Sequence, residues 1–83
     1  MHDISHPQQS QNWYRSDGRY YRCTLQQNLL HEWVLILQWG ALQNHRGGSL
    51  EMVFGTYEKG LQQLEATAKR RVQRGYKLAN HKA

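Results

Sequence analysis

The chain has 83 residues, a single cysteine, and 11 Lys and Arg against 6 Asp and Glu, for a net charge of +5. This length allows one domain able to bury roughly 60–65% of its unfolded surface, and one cysteine excludes an intramolecular disulfide framework and suits a reducing cytoplasm. No window reaches the roughly 20 apolar residues of a membrane span, no apolar signal core opens the chain, and the basic balance points to an anionic partner: nucleic acid first, an acidic protein or lipid surface second.

Residues 1–12, MHDISHPQQSQN, are polar, hold the only proline and show no period. They are expected to be a disordered tail. His2 and His6 within it lack the third and fourth fixed ligands that a functional metal site wants, so no metal is assigned. Trp13, Tyr14 and Arg15 form a short strand candidate, and Ser16-Asp17-Gly18 reads as a turn, Asp-Gly being a strong hairpin signal. Residues 19–27, RYYRCTLQQ, alternate. Tyr21, Cys23 and Leu25 share one face and Tyr20, Arg22, Thr24 and Gln26 the other, as in a half-buried strand. Cys23 on the apolar face reads as a small core residue, with no activating base nearby. Leu29 and Leu30 in the following connection are expected to fold back onto the core.

Residues 32–39, EWVLILQW, are apolar apart from Glu32 and Gln38. This reads as a central strand with both faces covered, since both parities are mostly apolar. Gly40 is read as ending the run and freeing Trp39 from the sheet, and the glycines of Arg46-Gly47-Gly48 as serving hairpin geometry. Residues 49–54 alternate again. Short connections make an antiparallel meander the simplest topology.

The period then switches. Thr56 is a good N-cap with Glu58 in the first turn, and the spacing predicts a helix from about 56 to 73. Tyr57, Leu61, Leu64, Ala68 and Val72 form one apolar stripe, and Glu65 and Lys69 make a supportive i,i+4 pair. Gly60 costs about 1 kcal/mol against Ala unless it permits close packing on the sheet. Gly75 is placed to close the helix as a C′ glycine, Tyr76-Lys77-Leu78 returns to the body, and residues 79–83 fray. The fold class is α+β, an antiparallel sheet with one long C-terminal helix across it, in a domain spanning residues 13–78.

Charge concentrates on the helix. Residues 56–77 hold Lys59, Lys69, Arg70, Arg71, Arg74 and Lys77 against Glu58 and Glu65. Cations at a helix C-terminus are partly explained by the dipole; the excess is read as an anion-binding face. Aromatics interleave with arginines in Trp13-Tyr14-Arg15 and Arg19-Tyr20-Tyr21-Arg22, which suits stacking plus phosphate contacts as well as ordinary strand packing.

Residues 21–76 resemble a WGR domain, the small module of poly(ADP-ribose) polymerases and of bacterial stand-alone or fused proteins. The resemblance rests on Trp39-Gly40 closing an apolar strand, Arg46-Gly47-Gly48 a few residues on, a helix opening near Tyr57-Glu58, and Arg74-Gly75-Tyr76 at its end. It also rests on Leu29-Leu30-His31-Glu32-Trp33 leading into the signature strand. It implies an antiparallel sheet with one helix packed across it, and a module that binds damaged DNA near a strand end. In the family the signature tryptophan packs on the terminal sugar and base and the signature arginine contacts the backbone. Carried onto this chain, the tryptophan is Trp39 and the glycine Gly40, while the arginine position holds Ala41. The stacking platform is retained and the phosphate donor beside it is missing; Arg46 is the candidate to replace it from the loop.

The function expected is therefore a small non-enzymatic nucleic-acid-binding module. It would engage DNA ends or backbone through Trp39, Gly40, Arg46, Lys69, Arg70, Arg71 and Arg74. The alternative is a protein-interaction or homo-oligomerisation module, a homodimer included, that has lost the DNA-specific arginine. Its motive is the apolar content of both strand faces with a helix to cover only one. No cofactor, metal or membrane partner is implied. An enzyme is not indicated: His31 and Glu32 diverge on a strand, no Ser-His-Asp or Cys-His set is suggested, and Arg46-Gly47-Gly48 is too short for a phosphate loop.

Overall fold

In the computed structural model, which describes residues 8–43 and 46–79, the period-2 segments become strands and the period-3.6 segment a helix. The elements are β1 (Gln9–Tyr14), β2 (Arg19–Gln27), β3 (Trp33–Ala41), β4 (Gly47–Phe54), α1 (Tyr57–Gln73) and β5 (Lys77–Leu78). They form one five-stranded sheet in the order β4-β3-β2-β1-β5, every neighbouring pair antiparallel. The first four strands are a meander, and β5 returns after α1 to pair with β1. No helix of the described residues is long and apolar enough to cross a membrane.

Register decides the core. Cys23 lies opposite Leu37, Leu25 opposite Leu35, and Leu35 opposite Met52, so these side chains share one face. Cys23, Leu25 and Leu35 are fully enclosed there with Leu64 of α1, and Trp33, Leu37, Phe54, Tyr57 and Leu61 pack around them. Each such leucine contributes about 1.5–3 kcal/mol by leaving water. Burial pushes the Cys23 thiol up to about 11, against a weaker opposing effect of Arg71.

The helix starts where its cap places it: the Thr56 hydroxyl accepts the Lys59 N–H at 3.2 Å. Gly60 sits directly on the sheet, and a Cβ there would lie 2.7 Å from Leu25 Cδ1. The buried stripe is Gly60, Leu64 and Thr67, leading on to half-buried Arg71, not Leu64, Ala68 and Val72; Val72 is 60% exposed. Beyond Leu64 the helix passes over Tyr21 and Tyr76, whose rings take a guanidinium better than a valine. Gly75, at φ 88°, then ends the helix: the Tyr76 N–H donates to Arg71 O at 2.9 Å and the Gly75 N–H to Val72 O at 3.0 Å, a Schellman closure.

Three further expectations are corrected. The disordered tail does not extend to residue 12, because Gln9, Ser10, Gln11 and Asn12 belong to β1. Their polarity hid the strand: Gln9 Nε2 donates to the Tyr57 hydroxyl, Asn12 Oδ1 accepts from Arg22 Nε at 2.7 Å, and the backbone pairs with β2 throughout. Residues 1–7, with His2 and His6, and residues 80–83 lie outside the described residues; Ala79 is tied by its N–H to Asn12 O at 2.8 Å. Leu29 and Leu30 do not fold back: they are 98% and 76% exposed at the β2–β3 tip. That tip is built by Asn28, whose side-chain oxygen accepts the N–H groups of Leu30 and Glu32, with His31 held at φ 65°. Finally, β3 is not covered on both faces. α1 packs over β2, β3 and β4 on one side, and no second layer among the described residues covers the other. Val34 is buried there beside its cross-strand neighbours Gln26 and Val53.

Candidate nucleic-acid interface

Trp39 lies on the helix-bearing face, close to the end of the sheet. It remains in the ladder, opposite Tyr21 on one side and Gly48 on the other, and β3 runs through Gly40 to Ala41. Gly40 therefore does not release it. The indole rests on the bare backbone of Gly48, where a Cβ would come within 2.9 Å of Trp39 Cζ2. Its ring stacks beside Tyr21 with centroids 6.0 Å apart and planes 18° from parallel. Trp39 is 37% exposed, held on a flank and below, and open to solvent.

Tyr21 joins this indole to the basic end of α1. The Arg71 guanidinium sits 4.1 Å from the Tyr21 ring centre and 5.3 Å from that of Tyr76. Tyr76 meets Tyr21 edge-on at 6.3 Å, and Arg15 lies 4.9 Å over Tyr76. Cations and rings thus alternate from Trp39 to the β1–β2 turn, each close pair worth about 0.5–1 kcal/mol where exposed and more where desolvated. Burial raises the Tyr21 phenol above its ordinary value, with Arg71 and Arg70 pulling the other way. Arg71 Nε is buried with no acceptor among the described residues. Arg15 is fixed by Asp17 at 2.9 Å and by donating to Arg74 O at 3.2 Å; the same contact holds the Asp17 carboxyl below the usual carboxylate range.

The residues singled out from sequence are partly brought together. Trp39 and Arg71 converge on Tyr21, whereas Arg70 acts on it only as a nearby charge. Lys69, Arg70 and Arg74 are exposed on the last turns of α1 and at its cap, whereas Arg71 is packed on rings. Arg46 is exposed at the base of the β3–β4 connection, and its carbonyl accepts the Ala41 N–H at 3.0 Å. Gly40 faces the opposite side of the sheet, where a Cβ would lie 2.7 Å from the Tyr20 hydroxyl. Gly40, Gly47 and Gly48 do not have positive φ, which occurs among described glycines at Gly18 and Gly75. These three glycines serve close approach: Gly40 under Tyr20, Gly48 under Trp39, and Gly47 against the Trp39 carbonyl.

Sequence reasoning grouped Arg19 with the aromatics of its strand and missed where it stands relative to Ala41. It is the cross-strand partner of Ala41, on the face that carries Trp39. Its side chain is largely exposed, 3.7 Å from Asp17. Facing residues on paired strands hold their Cβ atoms about 4.5–5.5 Å apart, so Arg19 is a cation directly across from Ala41. The signal was present: Arg19 shares the parity of Tyr21, and pairing Tyr21 with Trp39 puts Arg19 opposite Ala41. No family model, curated protein or solved structure matches this chain.

Proposed function

We propose that this protein is a small non-enzymatic nucleic-acid-binding module of the WGR type, which engages DNA ends or backbone through Trp39 and the basic C-terminal part of α1. The observation that carries the reading is the shared tyrosine. Trp39 presents an exposed indole, and Arg71 stands on the same Tyr21 ring. An indole so placed stacks on a terminal base or sugar, worth roughly 1–3 kcal/mol. Lys69, Arg70 and Arg74 supply phosphate contacts, and Arg19 supplies from β2 the cation that Ala41 does not. Three or four neutralised phosphates give a log–log salt slope of about −3.

The test is binding to blunt, nicked and closed circular duplexes at two salt concentrations. Trp39→Ala should remove the preference for ends, and joint reversal of Lys69, Arg70 and Arg74 to Glu should lower affinity for every duplex and flatten the salt slope. Arg19→Ala should lower end affinity about threefold, since an exposed charge-assisted contact falls short of its roughly 1.5–3 kcal/mol ceiling. Ala41→Arg gains little on this reading, because the new cation faces Arg19 directly. Equal affinity for closed and open duplexes in the wild type would remove the end-binding reading.

One feature favours the protein-interaction alternative. β4 is the sheet's long edge strand, with Leu50 and Val53 more than half exposed, and such an edge can pair with a second chain. A native mass measurement showing a dimer that Val53→Lys dissolves would favour it.

A further inference from the structure

The sheet face without a helix has its own chemistry. Its outermost row, read across the strands, is Lys77, Tyr14, Tyr20, Gly40 and Gly47; the next is Asn12, Arg22, Gln38 and Ser49. The Tyr20 ring is seated on Gly40, its hydroxyl over the glycine's bare backbone. Tyr14 stands beside it, 44% exposed. Arg22 is oriented by its Nε–H donating to Asn12 Oδ1 at 2.7 Å, and it makes no ion pair among the described residues. Tyr14, Tyr20, Arg22, Gln38, Ala41 and Leu42 line an open groove of about 410 Å³. None of these lining residues is acidic.

We infer that this groove binds an unpaired nucleotide, in a single-stranded segment flanking the duplex end held at Trp39. The inference takes its nucleic-acid partner from the reading above and adds a second pocket on the opposite face. The chemistry selects the ligand. Two tyrosine rings on neighbouring strands offer apolar faces to a base, the Gln38 amide offers a donor and an acceptor to a base edge, and Arg22 and Lys77 offer cations to phosphate. Adjacency supplies the path. Tyr20 and Tyr21 are neighbours in β2, as are Trp39 and Gly40 in β3, so the two sites back onto each other across one layer of sheet. A strand leaving a duplex seated on Trp39 has only the sheet end to round.

The test compares a blunt hairpin duplex with the same duplex carrying a four-nucleotide overhang, by fluorescence anisotropy on the intact protein. Wild type should bind the overhang about five- to tenfold more tightly, the lower part of what one stacked base supplies. Tyr14→Ala with Arg22→Gln should erase that increment and leave blunt affinity unchanged, with an unaltered melting curve confirming the fold. Should the double variant fail to fold, Arg22→Gln alone should lose at least half of the increment. Trp39→Ala should weaken the blunt duplex and keep the overhang increment. A 5′-mononucleotide at millimolar concentration should compete for the increment and polyglutamate should not. The inference is overturned if wild type binds both duplexes equally, if the increment survives the double variant, or if polyglutamate competes as well. Blunt binding without an increment sinks this pocket alone. Overhang binding with no blunt binding upholds the pocket and sinks the Trp39 reading. No binding to either sinks both.

Discussion

Gly48→Ala separates the seating of the Trp39 ring from the stability of the fold. A methyl at this position would lie 2.9, 3.2 and 3.4 Å from Cζ2, Cε2 and Nε1 of Trp39. Carbon atoms in good contact sit about 3.5–4.0 Å apart, so the indole must rise by roughly 0.6–1 Å. It has room to do so because its outer face is in solvent. The lifted ring loses part of its contact with Tyr21, while the strand recovers about 0.5–1 kcal/mol by exchanging glycine for alanine. Stability should therefore change by no more than about 1 kcal/mol, a urea midpoint shift of at most about 1 M at the m-value usual for a small domain. On the proposed DNA-end reading, affinity should fall about three- to tenfold, a share of the roughly 1–3 kcal/mol that stacking provides. Acrylamide quenching reads the indole directly: Trp13 and Trp33 are buried, so Trp39 dominates the accessible fraction, and that fraction should rise. Unchanged quenching and unchanged end affinity in a folded variant would refute the claim that Gly48 seats the platform. A loss of stability above about 3 kcal/mol would show instead that the methyl disrupts strand pairing.

Further outcomes follow from other contacts. Gly60→Ala should destabilise by about 1 kcal/mol, because overpacking against enclosed Leu25 outweighs the usual helix-propensity gain; a raised melting temperature would mean that the helix stands farther off the sheet. His31→Gly should stabilise by about 0.5 kcal/mol, by relieving a left-handed backbone at a β-branch-free but still strained residue; a lower melting temperature would contradict it. The Cys23 thiol, raised to about 11 from 9.0 by burial, makes stability pH-dependent. The unfolded thiol ionises first, so its stabilising effect is whole below pH 9 and is lost as pH rises to about 11. Urea titrations should show wild type losing roughly 2–3 kcal/mol across that window relative to Cys23→Ala, and parallel curves would refute it.

The strands with apolar alternation and the first turns of α1 were legible because burial follows side-chain period there. The Thr56 cap and the Gly75 closure fixed the helix ends to within a residue. β1 was not legible at residues 9–12: glutamine and asparagine side chains make its contacts, and an amide pattern carries no hydropathy signal. The late turns of α1 were misread for a related reason. An arginine whose guanidinium lies on tyrosine rings buries like an apolar residue while scoring as a surface charge. Leu29 and Leu30 look like core residues in sequence, yet the Asn28 side chain closes so tight a tip that neither can turn inward. At the candidate site, Trp39 and its glycines were visible as a motif. That Arg19 faces Ala41 needed the β2–β3 register, which no single strand pattern discloses.

The two-residue strand β5 gives the domain a particular order of assembly. β1 through β4 are joined by hairpins, so each pairing closes a short loop. Leu78 and Trp13 instead meet across the full length of the intervening chain. Closing so long a loop costs more entropy than any hairpin, and only two residue pairs and the Ala79 N–H bond to Asn12 reward it. This clasp should form last and open first. In native-state hydrogen exchange the Ala79 amide should therefore lose protection in a local opening that leaves Cys23, Leu25 and Leu35 untouched. Such an opening exposes the outer backbone edge of β1 while the other four strands and the helix stay folded.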